Sequence, residues 1–162
     1  GSSHLAAELF NSMAGVNIVR IPYKGTGEAL NDLLGGQVQV MFSSAPSAVP
    51  HANAGKLRAL AVTSAEPYAL LPGLPTIAAS GVTGYESAVM TGMFAPAKTP
   101  VTIINRLNQE VVKVLNLPDV KEKFLKTGVE TVGGSPEQLA VTMKSEMARL
   151  GPVIKAAGIR AQ

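Results

Sequence analysis

Three short apolar runs recur about every twenty residues, Ile18-Val19-Arg20-Ile21, Val38-Gln39-Val40-Met41-Phe42 and Leu57-Arg58-Ala59-Leu60-Ala61-Val62. Near-continuous runs of this kind predict strands covered on both faces. Helix-period segments flank them. Leu5-Leu9-Met13 closes at Gly15 and Leu30-Leu33-Leu34 at Gly35-Gly36, where glycine accepts a left-handed C-cap. Helix and strand therefore alternate through residues 16–64. That alternation predicts right-handed crossovers and an α/β fold with a three-layer, mainly parallel sheet of at least three strands.

The texture changes between Pro67 and Gly84, where Pro67, Pro72, Gly73, Pro75, Gly81 and Gly84 leave room for one helical turn around residues 76–79. This stretch reads as a connection. Residues 87–95 read as extended, and Thr99-Pro100 predicts a helix with a threonine cap and a proline in its first turn. Ile103, Ile104, Leu107, Val111, Val114 and Leu115 form its apolar stripe. A shorter helix ends at Gly128, and Ser135-Pro136-Glu137-Gln138 has the form of a capping box. The long helix that follows carries Leu139, Met143, Met147, Leu150 and Ile154, read as core packing, and Pro152 is expected to bend it. The seam between two parts of the chain is placed near residues 85–98.

Composition narrows the classes. With no cysteine in 162 residues there is neither a disulfide framework nor a thiolate metal site. A hydrophobic fraction of 46% against 15% charged residues suits a folded core, yet no run approaches a membrane span and the N-terminus lacks the basic and apolar blocks of a signal peptide. The net charge of +3 arises wholly after residue 99, where Lys121, Glu122, Lys123 and Lys126 mix signs on one helix. With aromatics at 4%, nucleic acid is not an expected partner.

Three turns share one chemistry: Ser2-Ser3-His4, Lys24-Gly25-Thr26 and Ser43-Ser44 are small, hydroxylic or glycine-rich and each opens a helix. Helix starts expose unpaired N–H groups and partial positive charge, so converging ones would hold a carboxylate or phosphate. Leu30 replaces the third glycine of a dinucleotide loop, and no Walker lysine follows. The two aspartates, Asp32 and Asp119, read as solvent-facing, which leaves no acid and base pair or nucleophile triad. His4 is read as a hydrogen-bond donor to ligand or backbone, and His51 as a surface residue. No catalytic residue, metal ligand or cofactor is expected.

In order along the chain, Gly1-Ser2-Ser3-His4-Leu5-Ala6, Pro22-Tyr23-Lys24-Gly25, Leu33-Leu34-Gly35-Gly36-Gln37-Val38 and Ala54-Gly55-Lys56-Leu57-Arg58-Ala59-Leu60-Ala61-Val62-Thr63 resemble the tripartite tricarboxylate transporter substrate-binding proteins, or Bug-type receptors. The likeness continues through Leu74-Pro75-Thr76, Phe94-Ala95-Pro96, Leu107-Asn108 and Val132-Gly133-Gly134-Ser135-Pro136-Glu137. It implies a periplasmic receptor of the type II binding-protein architecture that closes on a small carboxylate and delivers it to membrane transporter subunits. Residues 1–87 then correspond to the second lobe, and residues 88–162 to a crossing strand and helices returning toward a first lobe that would precede Gly1.

By position, the resemblance places Ser2, Ser3, His4, Lys24, Gly25, Thr26, Ser43 and Ser44 on the second-lobe face of the ligand cleft. Ser43 stands where many members of that family carry an acid, which favours a plain carboxylate over an amino acid. Two other classes are weighed: a carboxylate-sensing or protein-interaction module of the same ancestry, and an α/β enzyme acting on an anionic substrate. Alone, such a half is expected to bind its ligand at about millimolar strength or worse. It is also expected to self-associate through Ile103, Leu107, Val111 and Val114, or to exchange helices about residues 95–99.

Overall fold

A computed structural model describes residues 1–69 and 71–159, so one position of the 67–84 connection and the last three residues of the expected C-terminal part lie outside it. Six helices follow in order: α1 Ser2–Ala14, α2 Thr26–Leu34, α3 Ala45–Asn53, α4 Val101–Leu115, α5 Pro118–Lys126 and α6 Pro136–Ala156. The chain divides into two compact units, Gly1–Val89 with the stretch from Val153 onward, and Met90–Pro152.

Among the described residues there is no parallel sheet. Among these residues the three apolar runs form no ladder, the second beginning in a bend at residues 37–39, and the one β-bridge is parallel, between Val62 and Thr76. Val62 N–H donates to Pro75 O at 2.9 Å and Ile77 N–H donates to Val62 O at 3.0 Å. The partner of the third run thus comes from the 67–84 connection instead of from an earlier run. A parallel sheet holds only where strands pair along their length and both faces are covered. Neither condition is met at Val19, Ile21 and Leu60, which are 74%, 53% and 62% exposed. Apolar, β-branched composition carries no information on which segment pairs with which.

The core of the first unit is built around Tyr85, 1% exposed, with Ala6, Leu9, Thr76 and Ile77 also buried. The Tyr85 hydroxyl donates to Ala6 O at 2.9 Å, and its ring meets Phe10 edge to face at 6.1 Å. Phe10 in turn lies 5.9 Å from Phe42, the residue before Ser43. At the other end of α1, Gly15 takes φ 66°, which any side chain would strain, and Val16 N–H donates to Asn11 O at 3.1 Å. The Asn11 side chain then grips the next segment from both sides, donating to Ile18 O at 3.1 Å and accepting from Ile18 N–H at 3.0 Å.

Asp32 departs from its sequence reading. It is half-buried, and Tyr23 Oη donates to its Oδ2 at 2.7 Å. Asp119 does sit on an exposed helix turn, paired with Lys123 at 3.7 Å.

In the second unit, Gln138 N–H donates to Ser135 Oγ at 3.2 Å and Ser135 N–H donates to Gln138 Oε1 at 2.7 Å, the reciprocal pair of a capping box. The threonine cap expected on α4 is absent. Pro100 is itself the cap residue and Thr99 lies one position too early, its N–H donating to Pro96 O at 2.9 Å. Asn108 Nδ2 donates to Gly134 O at 2.7 Å and ties the 131–134 segment to α4. The α4 stripe stays largely open, with Ile103, Leu107 and Val114 at 49%, 42% and 48% exposure. α6 continues through Pro152, and the division between the units falls at that residue.

Two measurements check these features. In urea unfolding, Leu9→Ala, at a side chain 4% exposed, should cost about 2–4 kcal/mol, while Val19→Ala should stay within about 0.5 kcal/mol. Comparable losses would place Val19 in a covered strand. In a spectrophotometric titration Tyr23 should ionise above its ordinary value of 10.0, because its hydrogen bond to Asp32, then burial, then the Asp32 charge all disfavour the phenolate. With the folded value raised, the stabilisation is complete below pH 10 and is lost as pH climbs through the folded value. Asp32→Ala, which removes both the acceptor and the charge, should bring the titration back toward 10.0.

Candidate functional site

The helix starts of α1, α2 and α3 all belong to the first unit. None has a side-chain cap hydrogen bond, although serine or threonine stands at or beside each start. In α1 the first intrahelical bond runs from Leu5 N–H to Gly1 O at 3.2 Å, so the amides of Ser2, Ser3 and His4 point out of the helix end without intrahelical partners. In α2 the first such bond runs from Ala29 N–H to Gly25 O at 3.5 Å, leaving Thr26, Gly27 and Glu28 in the same position. α3 offers less. Pro46 has no N–H, and Ser47 N–H already donates to Ser44 O at 3.1 Å.

The hydrogen bonds of the singled-out side chains are local. His4 Nε2 lies 3.2 Å from Glu8 Oε1, one turn along α1, and both side chains are largely covered. The histidine thus meets a carboxylate of its own helix, a partner the sequence reading did not assign. Ser43 Oγ donates to Ser44 O at 3.3 Å, and the Ser44 and Ser47 hydroxyls share a hydrogen bond at 3.1 Å. Ser2, Ser3, Ser44, Lys24, Gly25 and Thr26 are exposed, while His4 and Ser43 are half-buried. Lys24 N–H donates to Glu28 Oε2 at 3.4 Å, a long contact on the surface.

Two aromatic rings relate α1 to the third turn. Phe10 sits six residues past His4, about 9 Å along the helix axis, and packs on Phe42 immediately before Ser43. The second turn is reached through Asn11, which holds Ile18, and then by the extended run to Pro22. Sequence reasoning overlooked Tyr23 with Asp32 and His4 with Glu8. The available signals were an acid in the last turn of α2, against the helix dipole, and an i,i+4 histidine and glutamate on α1. His51, expected at the surface, is half-buried in the last turn of α3.

Amides and hydroxyls at open helix ends can bind an oxyanion by charge-assisted hydrogen bonds and need no buried cation. Among the described residues, no group of three or more His, Cys, Asp or Glu side chains is placed to hold a metal ion. No described helix is long and apolar enough to cross a membrane.

Residues 1–159 match the family described as tripartite tricarboxylate transporter family receptor. A protein from the tcbD-tcbE intergenic region of Pseudomonas sp. strain P51 is 42% identical over 149 residues, covering 91% of this chain and 44% of its own length. The solved structure of R. palustris Rpa4515 with adipate superposes with a TM-score of 0.82 at 40% identity, over 98% of this chain and 53% of that one. The periplasmic binding protein BugD gives 0.77 at 35% identity, over 99% and 54%. The chain therefore spans about half the length of these relatives. With the match running from the first residue to the last one described, the chain belongs to the tripartite tricarboxylate transporter receptor family.

Proposed function

We propose that this chain supplies one wall of a periplasmic receptor that captures a small dicarboxylate and hands it to membrane transporter subunits. In this reading residues 1–87 are the second lobe, and residues 88–162 cross and return toward a first lobe. One carboxylate docks on the open amides of Ser2, Ser3 and His4 and of Thr26 and Gly27. Ser2, Thr26, Ser43 and Ser44 contribute hydroxyls, and Lys24 draws the anion in from solution. The observation that carries the reading is the pair of uncapped starts at α1 and α2 within one unit. Adipate bound to Rpa4515, which is similar over 98% of this chain, supports a dicarboxylate.

The role is capture and release without turnover. In this reading His4 is held against Glu8 and the Asp32 carboxylate against Tyr23. Charge-assisted bonds to backbone amides are strong enough to hold a carboxylate and leave it chemically unchanged.

Calorimetric titration with adipate tests the site. Ser44→Ala should weaken binding by about 1 kcal/mol, roughly fivefold, and an unchanged dissociation constant would remove Ser44 from the ligand wall. Consumption of adipate would instead point to an enzyme, and partner binding indifferent to adipate to an interaction module. The open α4 stripe at Ile103, Leu107 and Val114 supports self-association of the chain on its own. Light scattering across a concentration series should show mass rising with concentration. A strict monomer that binds adipate at micromolar concentration would contradict both the stripe's role and the need for a second wall.

A further inference from the structure

Asp32 breaks a local rule. It lies in the last turn of α2, Thr26–Leu34, where the helix dipole is negative and an acid is unfavourable. Among the described residues no cation is paired with it. Its carboxylate accepts the Tyr23 hydroxyl at 2.7 Å, and its main-chain oxygen accepts Gln37 N–H at 2.8 Å and Val38 N–H at 3.5 Å. The residue therefore touches both segments that flank α2. Tyr23 is the last residue before Lys24-Gly25-Thr26, and Gln37-Val38 begins the segment that leads to Phe42, directly before Ser43-Ser44. Local rules are broken where function demands it more often than elsewhere.

Reach makes the same point. With glycine as the cap residue, as Gly25 is here, the segment entering α2 has no side-chain cap and is met by the helix only through the long Lys24 N–H to Glu28 contact of 3.4 Å. The Tyr23 ring is half-buried and its hydroxyl bond spans nine residues back across α2, so it supplies a fixed point next to that glycine.

We propose that Tyr23 and Asp32 are a positioning pair: their hydrogen bond holds the Lys24-Gly25-Thr26 turn at the head of α2 while the Asp32 main chain holds the segment leading to Ser43-Ser44, so that one residue sets the placement of two carboxylate-binding turns. Neither side chain touches the ligand. The proposal rests on the carboxylate reading of those turns.

Variants of the whole chain separate the two ideas. Tyr23→Phe keeps the ring and removes only the hydroxyl; Asp32→Ala removes the acceptor; Asp32→Asn keeps an acceptor oxygen. Amide hydrogen exchange in ligand-free protein should speed up about three- to tenfold at Ala29, whose N–H closes the head of α2 on Gly25 O, in Tyr23→Phe and Asp32→Ala. Asp32→Asn should stay near wild type. Adipate affinity should fall by the same factor in the two loosened variants. Melting temperature should fall in Asp32→Ala, where loss of the Tyr23 bond exceeds the relief of an anion at the α2 C-terminus, and hold in Asp32→Asn, and recovery of both exchange and affinity in Asp32→Asn is a pattern that a purely structural role would not give. Unchanged exchange at Ala29 in Tyr23→Phe and Asp32→Ala overturns the proposal whatever adipate does. So does an Asp32→Asn variant that behaves like Asp32→Ala, since charge and not the hydrogen bond would then be responsible. If exchange responds as expected but wild type shows no adipate binding, the pair holds the turns and the carboxylate reading fails.

Discussion

Tyr85 is the point on which the first unit turns. Its ring is fully enclosed, its hydroxyl reaches back to a carbonyl in the middle of α1, and its edge meets Phe10, which meets Phe42. A buried phenol is tolerated only where its hydroxyl finds a partner. Because that partner is the main chain of α1, the contact fixes the helix itself and not merely a neighbouring side chain. The chain leaving Phe42 then arrives at Ser43-Ser44 beside a helix whose place is already determined. Packing deep in the unit thereby reaches the surface turns that bear hydroxyls.

Around that centre the unit spends little on its own helix ends. α6 in the second unit closes its start with a reciprocal serine and glutamine pair, whereas α1 and α2 leave theirs open to solvent. An open start forgoes about 1 kcal/mol of capping and keeps amides available to an oxyanion. α4 and α5 lack a side-chain cap as well, so what we propose for α1 and α2 rests on their serine, threonine and glycine starts together with the family match, and not on the missing cap alone. The pairing of His4 with Glu8 and of Tyr23 with Asp32 fits the same economy, in which side chains near the turns are tethered to their own helices and the backbone faces outward.

Features that depend on neighbours in sequence were legible. The helices closing at Gly15 and Gly35, and the capping box from Ser135 to Gln138, follow from local chemistry and are present. So were the hydroxylic turns, because a helix start advertises itself within four residues. Features that depend on partners far along the chain were not. Residues 18–21 and 57–62 look like buried strands by composition, yet Val19 and Leu60 face solvent and Val62 pairs with Thr76 from the proline-rich connection. Asp32 looked like an ordinary surface acid because its tyrosine partner lies nine residues upstream, beyond any helical repeat. Thr99 failed as a cap through a shift of one residue, since Pro100 with its fixed φ already occupied the cap position.

The central claim is that the open amides of α1 and α2 receive a carboxylate. It is tested most directly by following the amide resonances of isotope-labelled protein while adipate is added to millimolar concentration. The account predicts saturable shifts centred on Ser2, Ser3 and His4 and on Thr26 and Gly27, with Ser43 and Ser44 moving along the same curve. Shifts confined to other parts of the chain, or none at those helix starts, would contradict it.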